Sequence, residues 1–166
     1  MNEILAPYVP SDPLVIDAML NMAKVIPGER LYDLGAGKGR IVVKAALPPY
    51  YARTVGIEED KRLALAAQNV IKSFNLQKRA EIVCANIFDH DYRDANIVTL
   101  YLTRKQNIHL KSKLENELKE DARVVSHDFE MIDWKPSKVL PMVAPFGNYK
   151  VLKETRVFLY EMNKAL

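Results

Sequence analysis

The stretch Asp33-Leu34-Gly35-Ala36-Gly37-Lys38-Gly39 constrains this chain more than any other. A short run, Arg30–Leu34, reads as a strand that ends in it, and Arg40–Leu47 reads as a helix closed by Pro48-Pro49. Three glycines in five residues let the backbone turn tightly and let a ligand approach closely, because no Cβ intrudes. Strand, glycine turn and helix in that order belong to open, mainly parallel sheets, where ligands settle beyond the carboxyl ends of the strands. The spacing excludes two common occupants. A dinucleotide fingerprint wants a further glycine where Arg40 stands, and a P-loop wants Gly-Lys-Ser/Thr, which does not follow the turn.

The rest of the chain alternates in the same way. Asp12-Pro13 reads as a cap and first helical residue, opening a helix with Val15, Ala18, Met19, Met22, Val25 and Ile26 on one face, stopped by Pro27-Gly28. Thr54–Glu58 is a second strand, and Asp60 caps a helix whose apolar face is Leu63, Ala66, Ala67, Val70 and Phe74. Ala80–Ala85 and Ala95–Leu102 are the third and fourth strands. Thr103 and Gln106 have capping-box spacing ahead of Leu110, Leu114 and Leu118, and Arg123–Ser126 is a fifth strand. After Trp134-Lys135-Pro136, two β-rich segments, Lys138–Val143 and Thr155–Met162, have no helix-length stretch between them. Five βα units followed by a hairpin-like pair predict an α/β fold: a mainly parallel sheet, helices on both faces, one antiparallel C-terminal strand, in a single domain over 1–166.

Composition narrows the function. With 166 residues, 49% hydrophobic and 27% charged, the chain has the mix of a globular protein. Its net charge of +3 is too weak to imply nucleic acid, and no direct nucleic-acid binding is expected. One cysteine, Cys84, excludes an internal disulfide and a cysteine-built zinc cage, so no metal is expected. Cys84 reads as a small core residue. No apolar run reaches the ~18 residues of a membrane span, and Glu3, Asp12 and the early prolines do not read as a signal peptide. A cytoplasmic monomer is the expectation.

The acid-x-Gly-x-Gly-x-Gly pattern resembles motif I of class I S-adenosylmethionine-dependent methyltransferases. Glu58 lies 19 residues beyond Gly39, at the end of the second strand, where a carboxylate accepts from both hydroxyls of a ribose; Glu59 reads as a solvated charge. Asn86 ends the third strand, where these enzymes commonly carry an acid that receives the adenine amino group, and Ile87 would lie against the adenine ring.

Taken with Pro7-Tyr8-Val9-Pro10-Ser11, Leu100-Tyr101-Leu102, Ser126-His127-Asp128-Phe129 and Trp134-Lys135-Pro136, the turn is similar to that of the archaeal broad-specificity protein lysine methyltransferases. That family includes the mitochondrial enzymes that methylate lysine in the ATP synthase c-subunit. The resemblance runs from about Pro7 to Met162 and implies S-adenosylmethionine as cofactor. Asp33, Gly35, Ala36, Gly37 and Gly39 would hold its methionine end, Glu58 the ribose, and Asn86 with Ile87 the adenine. Tyr8, Val9, Pro10 and Ser11 would fold over it near the methyl group. Tyr8 and Tyr101 are the implied catalytic pair, and Ser126, His127, Phe129 and Trp134 the implied substrate-binding set. Lys38 and Asn86 depart from the family's usual acids. The implied partners are proteins with exposed lysines, including the chain itself, which has 15. Leu100-Tyr101-Leu102-Thr103 lacks the Pro-Pro motif of DNA amino-group methylases. A methyltransferase acting on RNA or a small molecule, and a cofactor-binding module without transfer activity, stay as alternatives.

Overall fold

Local chemistry sets most element ends. Asp12 accepts the Leu14 N–H at 2.9 Å and Pro13, with no N–H to lose, opens α1 (Pro13–Ala23). The helix stops ahead of Pro27-Gly28 because Lys24 turns left-handed, φ 50°, and its N–H returns to Asn21. Ile26 therefore lies beyond the helix and is exposed. Asp60 caps α3 (Lys61–Ser73) through the N–H groups of Arg62 and Leu63, and Thr103 and Gln106 form a reciprocal capping box on α4 (Arg104–Glu117). The remaining helices are α2 (Arg40–Ala46) and the short α5 (Met162–Ala165). The computed structural model describes residues 8–146 and 151–165.

The strands are β1 (Arg30–Leu34), β2 (Arg53–Ile57), β3 (Ala80–Val83), β4 (Ile97–Leu100), β5 (Arg123–His127), β6 (Lys138–Pro145) and β7 (Leu152–Glu161). They form one sheet in the order β3-β2-β1-β4-β5-β7-β6. β7 runs antiparallel to both β5 and β6, while β1 to β5 pair parallel. The chain thus works outward from β1 to β3 and returns to β4 on β1's other side. Strand order reverses between β1 and β4, and the glycine turn leaves β1 at that point.

Alternation along β1 divides the core. Leu31 faces α1 and α2 with Ile97 and Val125, whereas Tyr32 and Leu34 face the side covered by Leu110 and Leu114 of α4. Two of the five expected βα units lack their helix. Residues 84–96 and 128–137 cross as loops, and the first is held by apolar burial in place of a helix: Tyr92 and Ala95 are fully buried, and the Tyr92 hydroxyl donates to Ile87 O at 2.7 Å. The α3 face also shifts. Ala64, Ala67 and Ile71 are buried, Leu63, Ala66 and Val70 half-buried, and Phe74 exposed. Small residues win that face because α3 approaches the turn so closely that a Cβ on Gly39 would lie 3.1 Å from Ala67. Among the described residues no helix is long and apolar enough to cross a membrane.

Gly56 in β2 has no room for a side chain: a Cβ there would stand 2.6 Å from Ile82, 2.7 Å from Ala36 and 2.9 Å from Val42. Gly56→Ala should cost about 1–3 kcal/mol by overpacking, read as a lower urea midpoint with an unchanged slope.

Candidate active site

The turn after β1 hangs from β2. Gly35 and Ala36 donate to the Ile57 carbonyl at 2.9 and 3.0 Å, and Gly39 N–H donates to Ala36 O at 2.8 Å. Gly37 sits at φ 55°, and a Cβ there would lie 2.2 Å from the Tyr8 ring. Its N–H donates to Glu58 Oε2 at 2.7 Å, and the other oxygen of Glu58 accepts Asp60 N–H at 2.9 Å. Glu58 thereby fixes the turn to the start of α3. A carboxylate offers about four lone-pair positions, so two remain for a ligand.

Asp33, one residue before the end of β1, is buried and accepts from Thr99 Oγ1 of β4 at 2.8 Å. Burial pushes its pKa up to about 7; the Thr99 hydrogen bond opposes the rise, and the nearby Glu58 charge adds to it. Asn86 is tied to its own turn, accepting Phe88 N–H at 2.9 Å and donating to Glu59 at 3.2 Å. Glu59 is thus a clamp on Asn86 instead of a bystander. Ile87 is buried in the core on the α4 side, and Cys84 is exposed, not a core residue.

Residues 8–11 cross the carboxyl end of the sheet as a strap; Pro7 and everything before it lie outside the described residues. Tyr8 lies on Gly37, with the Lys38 N–H on its hydroxyl, and burial raises its pKa. Pro10 is buried, Val9 half-buried. Ser11 is bonded on both sides: its carbonyl accepts from Arg40 at 3.3 Å, and its hydroxyl lies 3.3 Å from His127 Nδ1.

His127, at the end of β5, has Nε2 2.9 Å from Thr155 Oγ1, which in turn donates to Asp128 Oδ1 at 3.2 Å. The carboxylate only accepts, so the single Thr155 proton points to it and His127 Nε2 must carry a hydrogen. Nδ1 is then the acceptor for Ser11. His127 is neutral, and burial drives its pKa down to about 4, with Asp128 opposing and Lys153 assisting. The Tyr101 ring covers it at 4.0 Å between centroids. Burial raises the Tyr101 pKa, and the Asp128 charge adds to that.

The chain that builds this geometry matches known proteins. The family model of the ANTKMT methyltransferase domain matches residues 33–138. A protein-lysine N-methyltransferase of Saccharolobus islandicus is 43% identical over 135 residues, 81% of this chain and 83% of its own length. The chain belongs to the ANTKMT methyltransferase domain family.

The human lysine N-methyltransferase named for the ATP synthase c-subunit is 27% identical over 139 residues; the match takes in 84% of this chain but 58% of the human protein. A crystal structure of an RNA methyltransferase from Salinibacter ruber, in complex with S-adenosyl-L-homocysteine, superposes with a TM-score of 0.83 at 34% identity, covering 95% of this chain and 96% of the other. On this methyltransferase fold the structure brings Tyr8, the strap, the glycine turn, Asp33, Glu58, Asn86, Tyr101 and His127 to the carboxyl end of the sheet.

It does not bring Ser126, Phe129 or Trp134 into the pocket that Tyr101 and His127 line. Ser126 points to the opposite face from His127, as alternation requires, and its hydroxyl donates to Phe129 O. The Phe129 ring is exposed, while its carbonyl also receives Asn107 of α4. Trp134 is buried on Tyr160, with its indole N–H on Glu115 at 2.7 Å. Two residues that sequence reasoning left out belong to the site: Arg40 holds the strap, and Thr155 ties His127 to Asp128. Arg40 follows directly on the turn, which was a usable signal. Thr155 arrives from β7 through antiparallel pairing, and no local pattern announces it.

Two buried groups tilt stability in opposite directions with pH. Asp33, raised from 3.8 to about 7, binds more proton in the native state, so its contribution falls as pH rises through that window. His127, lowered from 6.5 to about 4, binds less, so its contribution falls as pH drops through 6.5 toward 4. In urea unfolding between pH 4.5 and 7, Asp33→Asn should make stability rise more steeply with pH than in the parent chain. His127→Asn should make it fall.

Proposed function

We propose that this chain transfers the methyl group of S-adenosylmethionine to the side-chain amine of lysines on protein substrates. The observation that carries this reading is the 43% identity, over four-fifths of the chain, to a protein named as a protein-lysine N-methyltransferase. The site's chemistry supports it. Glu58 keeps lone pairs for two ribose hydroxyls, and the buried Asp33 carboxyl offers a partner to a cationic amine. When bound, S-adenosylmethionine supplies an activated methyl group on a sulfonium.

The chain's own part is alignment and exclusion of water. The strap closes over the turn. The hydroxyls of Tyr8, in the strap, and of Tyr101, which shares a pocket with Pro10 of the strap, aim an incoming amine. That amine must be neutral to attack, at a cost of about 4–5 kcal/mol at pH 7 from a free pKa of ~10.4, and removal from water lowers the cost. His127 is not the base that takes the proton: both its nitrogens are committed, to Ser11 and Thr155. It acts as a strut that fixes the Tyr101 ring. Lys38, the departure inside the turn, is exposed, with its backbone N–H on Tyr8, which suits a side chain directed to solvent.

The name of the Salinibacter neighbour supports a second reading, transfer to RNA. The rim favours a cation instead, since Asp128 places a carboxylate there. A monomeric, cytoplasmic enzyme completes the proposal, and light scattering at assay concentration tests its first half. The deciding assay incubates the protein with labelled S-adenosylmethionine and, separately, cell proteins and total RNA, then maps the product by mass spectrometry. Label on lysine side chains is expected; label on RNA alone would overturn the lysine reading. Glu58→Ala should weaken cofactor binding in calorimetry by about tenfold or more, the worth of hydrogen bonds to a charged group. Tyr101→Phe should lower kcat by about tenfold with cofactor affinity kept.

A further inference from the structure

One group at the rim already holds an ammonium ion. Lys153 of β7 reaches Asp128 Oδ2 at 3.1 Å, and its nitrogen lies 4.8 Å from the centre of the Phe146 ring. A carboxylate beside an aromatic face is the chemistry that recognises a cationic amine. Asp128, Phe146 and Lys153 line one pocket together with Pro10, Tyr101 and His127. Asp128 is firmly placed: it sits at φ 66°, its N–H donates to Arg156 O at 2.7 Å, and its Oδ1 accepts from Thr155. Oδ1 is turned to Thr155 and Oδ2 to the Lys153 cation, and the Asp128 side chain is 18% exposed, so solvent screens the pair less than at an open surface.

We propose that Asp128 and Phe146 form the receiving subsite for the ammonium group of the substrate lysine, and that Lys153 occupies it until a substrate displaces it. The inference rests on the lysine reading above. A carboxylate favours the charged amine, so this subsite governs arrival and affinity more than the transfer step. Lys153 is then a resident competitor, and the pocket beside Tyr101 is kept filled while no substrate is bound.

The test is steady-state kinetics on a peptide with one central lysine and blocked ends, at saturating S-adenosylmethionine. Asp128→Asn suits it because asparagine tolerates the left-handed backbone and still accepts from Thr155. It should raise the peptide KM by about tenfold and change kcat much less. Lys153→Met should lower KM by about threefold, the range of a partly exposed ion pair. Cofactor calorimetry reports whether each variant is folded, and Lys153→Met, on a half-exposed side chain, decides the matter if Asp128→Asn does not fold. A KM unchanged or lowered in Asp128→Asn, or unchanged or raised in Lys153→Met, overturns the inference alone. A parent enzyme that transfers nothing to the peptide overturns the lysine reading and this inference with it.

Discussion

Glu58 joins the parts on which the site depends. Its two oxygens accept the N–H groups of Gly37 and Asp60, one from the turn after β1 and one from the cap of α3. Each bond to a carboxylate is worth roughly 1.5–3 kcal/mol where solvent is partly excluded. The turn is therefore held open at a fixed distance from α3, and Tyr8 finds a flat glycine surface to lie on. Remove the carboxylate and the glycines regain the freedom that makes them costly to order. The ribose-facing role and the structural role then fall on one side chain, and a substitution there separates them only when cofactor calorimetry is joined by urea unfolding.

A second dependence runs through His127. Ser11 from the strap, Thr155 from β7 and Tyr101 from the end of β4 meet on one ring. None of the three elements is adjacent to another in sequence. The ring is held neutral because burial outweighs the neighbouring Asp128. A charged ring would reverse this bond, with Nδ1–H donating to the Ser11 hydroxyl oxygen. Asp33 has the reverse character: burial pushes its carboxyl pKa up, to about 7.

Much of this was legible in the sequence, for reasons specific to each element. The turn was legible because glycine spacing is a backbone requirement that nothing else meets. The helix starts were legible because Asp12, Asp60 and Thr103 bond to N–H groups two or three residues on, an interaction that needs no tertiary partner. The helix that was expected after β3 failed on other grounds, since burial of Tyr92 and Ala95 replaces it and burial is a property of the assembled sheet. Trp134 reads from sequence as an entrance residue or, more readily, as a packing residue, and its contacts with Glu115 and Tyr160 are those of packing. The sequence offers Asp128 as a residue that shapes the lysine entrance but does not show its partner Lys153, which stands 25 residues away on a strand whose register is set by β5.

The proposed receiving subsite bears on how selective such an enzyme is able to be. Asp128 and Phe146 read a positive charge on a slender stem, and nothing in that pair distinguishes one lysine from another. Discrimination between substrates is a difference of affinities and needs contacts to the residues flanking the lysine. Ser126 and Trp134, the residues expected to supply such contacts, are turned into the core, and only the Phe129 ring stays exposed. What the rim supplies in their place is a threshold. Any incoming ammonium must displace Lys153, so a lysine that is mobile and protruding succeeds where one held in its own ion pair does not. Accessibility of the target lysine, more than its sequence, is then the property that this site selects.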